Sequence, residues 1–238
     1  MAGVSRLQYS PDIKIVRLMC TGRIDPAIIA KAFKKGLDGL IVVGCFIGEC
    51  HYVSGNIQAK AKIDMTRSLL KHIGLNENRL SFQHCSSGEA TRFVEIVNKF
   101  DKTIHELGPI GGESDQVKGP ELFRKLEAAE AVLAGQKMRW VIGKKTEFLE
   151  KGNLYGEVFT EHEFKRAIDM IIVEETEVQE ILGRLKEGAQ SVKALAESLA
   201  MPSERVFRYI NALRRKDMVE LETISGQSPL YKVIPQGV

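Results

Sequence analysis

Gly39-Leu40-Ile41-Val42-Val43-Gly44-Cys45 is a nearly unbroken apolar run that begins and ends on glycine and delivers a cysteine to the loop beyond it. Four β-branched or aliphatic residues between turn formers read as a short strand buried on both faces, the habit of a parallel sheet. Upstream, Ile13-Lys14-Ile15-Val16-Arg17-Leu18-Met19 reads as a second strand, followed by the loop Cys20-Thr21-Gly22-Arg23. Asp25-Pro26 then opens a helix that runs to about Lys35, with aspartate as cap and proline at the first helical position. Downstream, a helix is expected from about Gln58 to Ile73, and a third strand over Arg79-Leu80-Ser81-Phe82-Gln83-His84. Cys85-Ser86-Ser87-Gly88-Glu89 leads from that strand into a helix ending near His105. Strand and helix alternate three times, so the pattern predicts an α/β fold, a parallel-sheet βαβαβα domain over residues 1–108.

Residues 108–118, punctuated by glycine and proline, read as a linker that closes this domain. A helical connector is expected over 109–175, with two helices separated near Gly135 and another at 161–173. Residues 176–238 read as a winged helix-turn-helix domain. A helix at 176–187 precedes Ser191–Leu199, a tight turn at Ala200-Met201-Pro202-Ser203, a helix at 204–216 and a hairpin across Gly226. On helix 204–216 the spacing turns Val206, Phe207, Ile210 and Leu213 inward. It leaves Arg205, Arg208, Asn211 and Arg215 outward, toward DNA or a partner protein.

The chain has 238 residues, with 34 Lys and Arg against 31 Asp and Glu. Residues 1–110 carry 15 basic and 10 acidic side chains and residues 176–238 carry 9 and 8, so charge alone does not announce nucleic acid. No apolar run approaches the roughly 18 residues a membrane span needs. The first residues lack the apolar core of a secretory signal, so a cytoplasmic location and no membrane partner are expected.

The placement of the four cysteines is more informative than their number. Cys20, Cys45 and Cys85 each follow a predicted strand, and Cys50 lies in the loop behind Cys45. Strand C-termini of a parallel sheet share one edge, where ligands bind in open α/β folds. Four thiols on one rim point to metal ligation, and the spacing is not the paired Cys-x2-Cys of zinc ribbons, so iron and sulfur rank above zinc. The competing reading makes them buried, inert thiols. His51 and His84 are possible nitrogen ligands or backbone-bonded histidines, and Arg17 and Arg23 are charges that a thiolate cluster or an acidic partner could use. Gly44-x3-Gly48 lacks the full glycine pattern of a dinucleotide turn, and no catalytic triad stands out.

Ala2-Gly3-Val4-Ser5-Arg6-Leu7-Gln8-Tyr9, Arg17-Leu18-Met19-Cys20-Thr21-Gly22-Arg23, Val43-Gly44-Cys45-x4-Cys50-His51-Tyr52 and Ser54-Gly55-Asn56 closely resemble the iron-sulfur delta subunit of methyl-viologen-reducing hydrogenase. The similarity covers about residues 1–107. It implies a [2Fe-2S] cluster and an electron relay from a hydrogenase or formate dehydrogenase to the flavin subunit of a heterodisulfide reductase-like complex. Cys20, Cys45 and Cys50 match the family motif. Cys85 stands where the family pattern leads us to expect a small residue, and serves here as a provisional fourth ligand. The family pattern also has a first strand ending in a Cys-x-x-Cys-like pair just before the Ala-Gly-Val-Ser-Arg stretch, whereas this sequence opens at Met1 inside that loop. A selenocysteine codon read as stop, a late start or a split gene would each produce this. A fourth ligand then comes from Cys85 or a neighbouring chain. The alternative function is a redox-responsive iron-sulfur regulator whose tail binds DNA.

Overall fold

The computed structural model describes residues 6–235. The Ala2-Gly3-Val4-Ser5 part of the quoted motif lies outside the described residues. The chain divides after Val173 into two compact units.

In the first unit, α1 (Pro26–Lys34) starts as its sequence dictates: Asp25 accepts the Ala27 N–H at 3.0 Å and proline occupies the first turn. The chain then forms β1 (Leu40–Gly44), α2 (Gly55–His72), β2 (Leu80–His84) and α3 (Ala90–Leu107). β1 and β2 pair in parallel, Leu40 opposite Leu80 and Gly44 opposite His84. The α/β alternation is therefore present, but the sheet has two strands among the described residues.

Residues 13–19 are not a strand. They carry no regular structure and all but Ile13 are exposed, with Val16 82% and Met19 77% accessible, and no backbone hydrogen bond joins them to β1 or β2. Strand-forming side chains alone do not make a strand, because a ladder needs a neighbour's N–H and C=O groups. For the same reason β1 is only half buried rather than covered on both faces.

Residues 108–118 are not a free linker. Asp115 is paired with Arg79 at 2.8 Å, both side chains fully buried. The same guanidinium donates to the carbonyls of Asp38, Gly108 and Pro109 and to Ser114 Oγ. Every donor of a buried cation thus finds an acceptor, which is what makes such burial tolerable. Beyond it lie α4 (Gly119–Ala134), α5 (Gln136–Gly143) and α6 (Lys145–Glu150). Leu122, Leu126, Ala129 and Leu133 of α4 join Ile29 and Phe33 of α1 and Leu69 and Leu70 of α2 in one core.

The expected helices at 161–173 and 176–187 are one element, α7 (Glu161–Glu187). Val173-Glu174-Glu175-Thr176 contains neither glycine nor proline, so nothing interrupts the ladder. The second unit begins within this helix. It continues through β3 (Gln190–Ser191), α8 (Val192–Leu199), α9 (Ser203–Arg214), β4 (Val219–Ser225) and β5 (Ser228–Val233). Its antiparallel sheet has the order β3-β5-β4, and Gly226, at φ 62°, begins the two-residue turn of the β4–β5 hairpin. Ile181, Leu185, Leu195, Val206, Ile210, Leu213 and Tyr231 form its core.

Candidate metal centre

Three loops meet at the carboxyl end of β1. The first is a single 3-10 turn, Thr21–Arg23, capped by Cys20, whose sulfur accepts the Gly22 N–H at 3.4 Å. The second is the Cys45–Cys50 loop and the third the entry to α2. They approach this closely because two glycines face each other: a Cβ on Gly22 would lie 2.8 Å from Gly55 Cα, and one on Gly55 would lie 2.3 Å from Cys20 Sγ and 3.3 Å from Cys50 Sγ. A side chain at Gly55 would intrude on the Cys20 and Cys50 sulfurs, and one at Gly22 would collide with the Gly55 backbone.

Two polar residues brace these loops. Asn56, fully buried, donates through Nδ2 to the carbonyls of Cys45 and Phe46 and accepts the Ile57 N–H at 2.9 Å. Lys62, about two turns along α2, donates to Gly22 O at 2.8 Å and Ile24 O at 3.2 Å. Neither was among the expected site residues. Asn56 belongs to the quoted Ser-Gly-Asn motif, and Lys62 is a charge among the mostly apolar inward positions of α2.

The electrostatics differ from thiol to thiol. Burial alone would raise Cys50, but the N–H groups of Asn56, Tyr52 and Gly55 and the Cys45 thiol outweigh it and hold Cys50 below the ordinary thiol range. Cys50 sits at a helix N-terminus, where unpaired donors and the helix dipole favour negative charge. Cys45 is pushed up, by burial first and then by the bond and charge of Cys50. Cys45 therefore donates and Cys50 accepts. The turn carrying Cys50 closes with Val53 N–H on Cys50 O at 2.9 Å and puts Val53 at φ 65°. A β-branched residue there is strained by about 1–3 kcal/mol.

Cys20, Cys45 and Cys50 are thus brought together, and Cys85 lies at the same strand end, its N–H on Gly44 O at 2.8 Å. Its sulfur turns into its own loop, toward Ser86 O at 3.4 Å and Glu89 O at 3.5 Å. Burial and then Glu89 push it up, against Arg92. All four thiols are half-buried rather than sealed in a core. Among the described residues no three sulfurs lie within 4.8 Å of one another. A single zinc ion, with Zn–S near 2.3 Å, would need them about 3.8 Å apart.

His84 is engaged elsewhere: Nδ1 lies 2.8 Å from Cys45 O, so it carries the proton and donates. His51 is exposed, edge-on to Tyr52 at 5.1 Å. Arg17 and Arg23 are exposed near the rim.

On α9, Val206, Ile210 and Leu213 are buried as expected, but Phe207 is 51% exposed and Tyr209 takes the inward place. Tyr209 follows Val206 by three positions and so lies on the same face, while Phe207 is rotated off it. Arg205 is tied to Glu177 at 2.8 Å and Arg208 lies over the Tyr209 ring at 5.6 Å. Arg215 is exposed and Asn211 half-buried.

Residues 1–108 match the family described as FlpD, methyl-viologen-reducing hydrogenase, delta subunit. The chain is similar to the iron-sulfur subunit of the F420-non-reducing hydrogenase of Archaeoglobus profundus, 40% identical over 109 residues, covering 46% of this chain and 80% of that protein. It is also similar to one subunit of the ferredoxin/F(420)H(2)-dependent CoB-CoM heterodisulfide reductase of Methanosarcina acetivorans, 40% identical over 116 residues, 49% of this chain. The matching subunit of the ferredoxin:CoB-CoM heterodisulfide reductase of Methanosarcina mazei is 41% identical over 113 residues, 48% of this chain. The chain spans only 15% and 14% of the length of these two reductase subunits. All of these matches fall on about half of the chain. The family description covers the residues that gather three thiols on one rim, and so the chain belongs to the methyl-viologen-reducing hydrogenase delta subunit family.

Proposed function

We propose that this chain is an iron-sulfur electron-transfer subunit. It relays electrons between a hydrogenase or formate dehydrogenase and the flavin subunit of a heterodisulfide reductase-like complex in the cytoplasm. Cys20, Cys45 and Cys50 hold a [2Fe-2S] cluster, which supplies a one-electron carrier when bound. The observation that carries this is the convergence of three thiols, Cys20 from the 3-10 turn and Cys45 and Cys50 from one loop, on a space that Gly55 keeps clear, with N–H donors at the start of α2 lowering the Cys50 thiol. The chain's own part is to hold the thiolates, keep side chains out of their centre and present the rim to partners. Among the described residues no helix is long and apolar enough to cross a membrane. The test is iron and acid-labile sulfide per chain after oxygen-free purification, with EPR before and after dithionite. About two irons and a reducible signal are expected, and Cys45→Ser and Cys50→Ser should each abolish both. Iron retained with unchanged electron flow to a flavoprotein in both variants overturns the assignment.

The tail is read as a winged helix-turn-helix that docks protein. Supporting this, residues 174–238 hold nine Lys and Arg against ten Asp and Glu, Arg205 is already committed to Glu177, and Phe207, Leu221 and Ile224 are exposed. The alternative, a redox-responsive regulator, draws on the exposed Arg208, Arg214, Arg215 and Lys216 of α9 and the turn after it. It requires DNA binding that steepens as salt falls. A gel shift at low salt without retardation ends it.

A further inference from the structure

We propose that two copies of this chain associate through the first unit, each inserting the tip of its 151–158 loop into a cleft of the other. The cleft, of about 490 Å³, opens where α2 meets α5, α6 and α7. Its floor is Met65, Ile142, Phe164 and Ile168, and its volume falls within the range of about 300–1,000 Å³ of sites that take a buried group. The loop offers the complementary shape. Leu154 and Tyr155 stand at its tip 102% and 89% exposed, so the tip does not occupy the cleft of its own chain.

The tip is nevertheless fixed. Asn153 Oδ1 accepts the N–H groups of Tyr155 at 2.9 Å and Glu157 at 3.1 Å, and Asn153 Nδ2 donates to Glu157 Oε2 at 2.8 Å. The two arms close with the Asn153 N–H on Glu157 O at 2.9 Å. Gly152, at φ 85°, lets them approach, since a Cβ there would lie 2.6 Å from Glu157 O. A turn held in this way has already lost much of the freedom that insertion into a partner would otherwise cost. A leucine and a tyrosine displayed on it suit an anchor, because aromatic side chains bury a large area at little loss of rotamer freedom.

Position and charge name the occupant as a second copy. At the base of the loop the Phe159 N–H donates to Phe148 O at 3.1 Å, and the Phe148 ring lies 5.7 Å from that of Phe159 and 6.3 Å from that of Phe164 on the cleft floor. Tip and cleft therefore belong to one patch, as a two-fold interface requires, because each copy presents the same surface to the other. Val158 in the loop and Trp140, whose ring meets Phe148 at 5.9 Å, are exposed and enlarge the apolar part of that patch. A patch of one sign would repel its own copy. Here Asp64, Glu77 and Glu161 around the cleft are offset by Arg67, Lys145 and Lys165, and Glu157 in the loop by Lys151. The loop and three of the four floor residues lie beyond residue 108, outside the family match, and the association is independent of the iron-sulfur assignment.

The test is sedimentation velocity of the full chain over a range of concentrations, kept reduced so that no intermolecular disulfide contributes. Dimer should form as concentration rises. Leu154→Asp with Tyr155→Asp changes only exposed side chains and should weaken association by about a hundredfold or more, with the far-ultraviolet circular dichroism unchanged. Ser68→Trp, which fills the cleft from its half-buried wall, should do the same. Mixed together, the two variants should form a heterodimer, followed through a fluorescent label on one of them, because one supplies the loop tip and the other the open cleft. A chain that stays monomeric throughout overturns the proposal and leaves the cleft to a small molecule or a different protein. Association that survives in the loop variant also overturns it, by placing the contact on another face. Loss in both folded variants with no recovery on mixing overturns the exchange of loop tips.

Discussion

At Cys50 the position of the thiol, more than its neighbours' identity, decides its chemistry. The backbone N–H groups of Gly55 and Asn56 at the start of α2, with that of Tyr52 in the turn before it, lower the Cys50 thiol, while burial and Cys50 itself raise Cys45. In the metal-free chain, iodoacetamide should therefore modify Cys50 before Cys45, with a pH midpoint below the ordinary thiol range. Peptide mapping after brief exposure reads this, and equal rates at the two positions would contradict it. In the second unit Tyr209 is the matching case among phenols. Its hydroxyl donates to Glu177 Oε2 at 2.7 Å, and burial first, then Glu177, push its pKa from 10.0 to about 12. The folded state favours the protonated phenol, so this contribution is whole below pH 10 and fades as pH rises toward about 12. Tyrosinate absorbance should show one late-titrating tyrosine that Glu177→Gln brings down.

Among elements, α8 ends on Ala200 at φ 52° and ψ 38°, the left-handed cap that glycine fills without strain. Ala200→Gly should stabilise the second unit by about 0.5–1 kcal/mol, since relief of the left-handed strain exceeds the added chain entropy. Urea unfolding checks it, and destabilisation would mean that the methyl group contributes packing. Arg79 is the opposite case, a residue whose loss leaves the buried Asp115 carboxylate with the N–H groups of Asn76 and Gly111 but no counter-charge. Arg79→Met should cost about 3–5 kcal/mol, because Asp115 and three carbonyls lose their donor together. Helix caps, β1, β2 and the hairpin at Gly226 were legible because caps, apolar runs and turn glycines act within a few residues. The Arg79–Asp115 pair was not, since its partners lie 36 positions apart and no local pattern marks either one. Residues 13–19 misled for a related reason: side-chain pattern expresses fitness for a strand, but pairing depends on a neighbour that the pattern cannot supply.

Across the molecule, the same limit governs the site. That Cys20, Cys45 and Cys50 share a rim followed from strand ends alone, but the turning of Cys85 into its own loop and the bracing by Asn56 and Lys62 depend on packing between distant segments. The two cores, one around Ile29, Phe33 and Leu69 and the other around Leu195, Val206 and Ile210, share no residue. Trp140, the single tryptophan, is 58% exposed in α5 but lies against Phe148, which packs on the first core, and so reports on that unit through this contact. Ile29→Ala and Leu195→Ala each remove a fully buried side chain and should cost about 2–5 kcal/mol in their own core. Denaturant titration followed by Trp140 fluorescence should shift to lower concentration for Ile29→Ala and stay in place for Leu195→Ala. Far-ultraviolet circular dichroism, which sees both units, should move in each. A fluorescence shift of equal size in both variants would show that the shared helix α7 couples the cores into one cooperative transition.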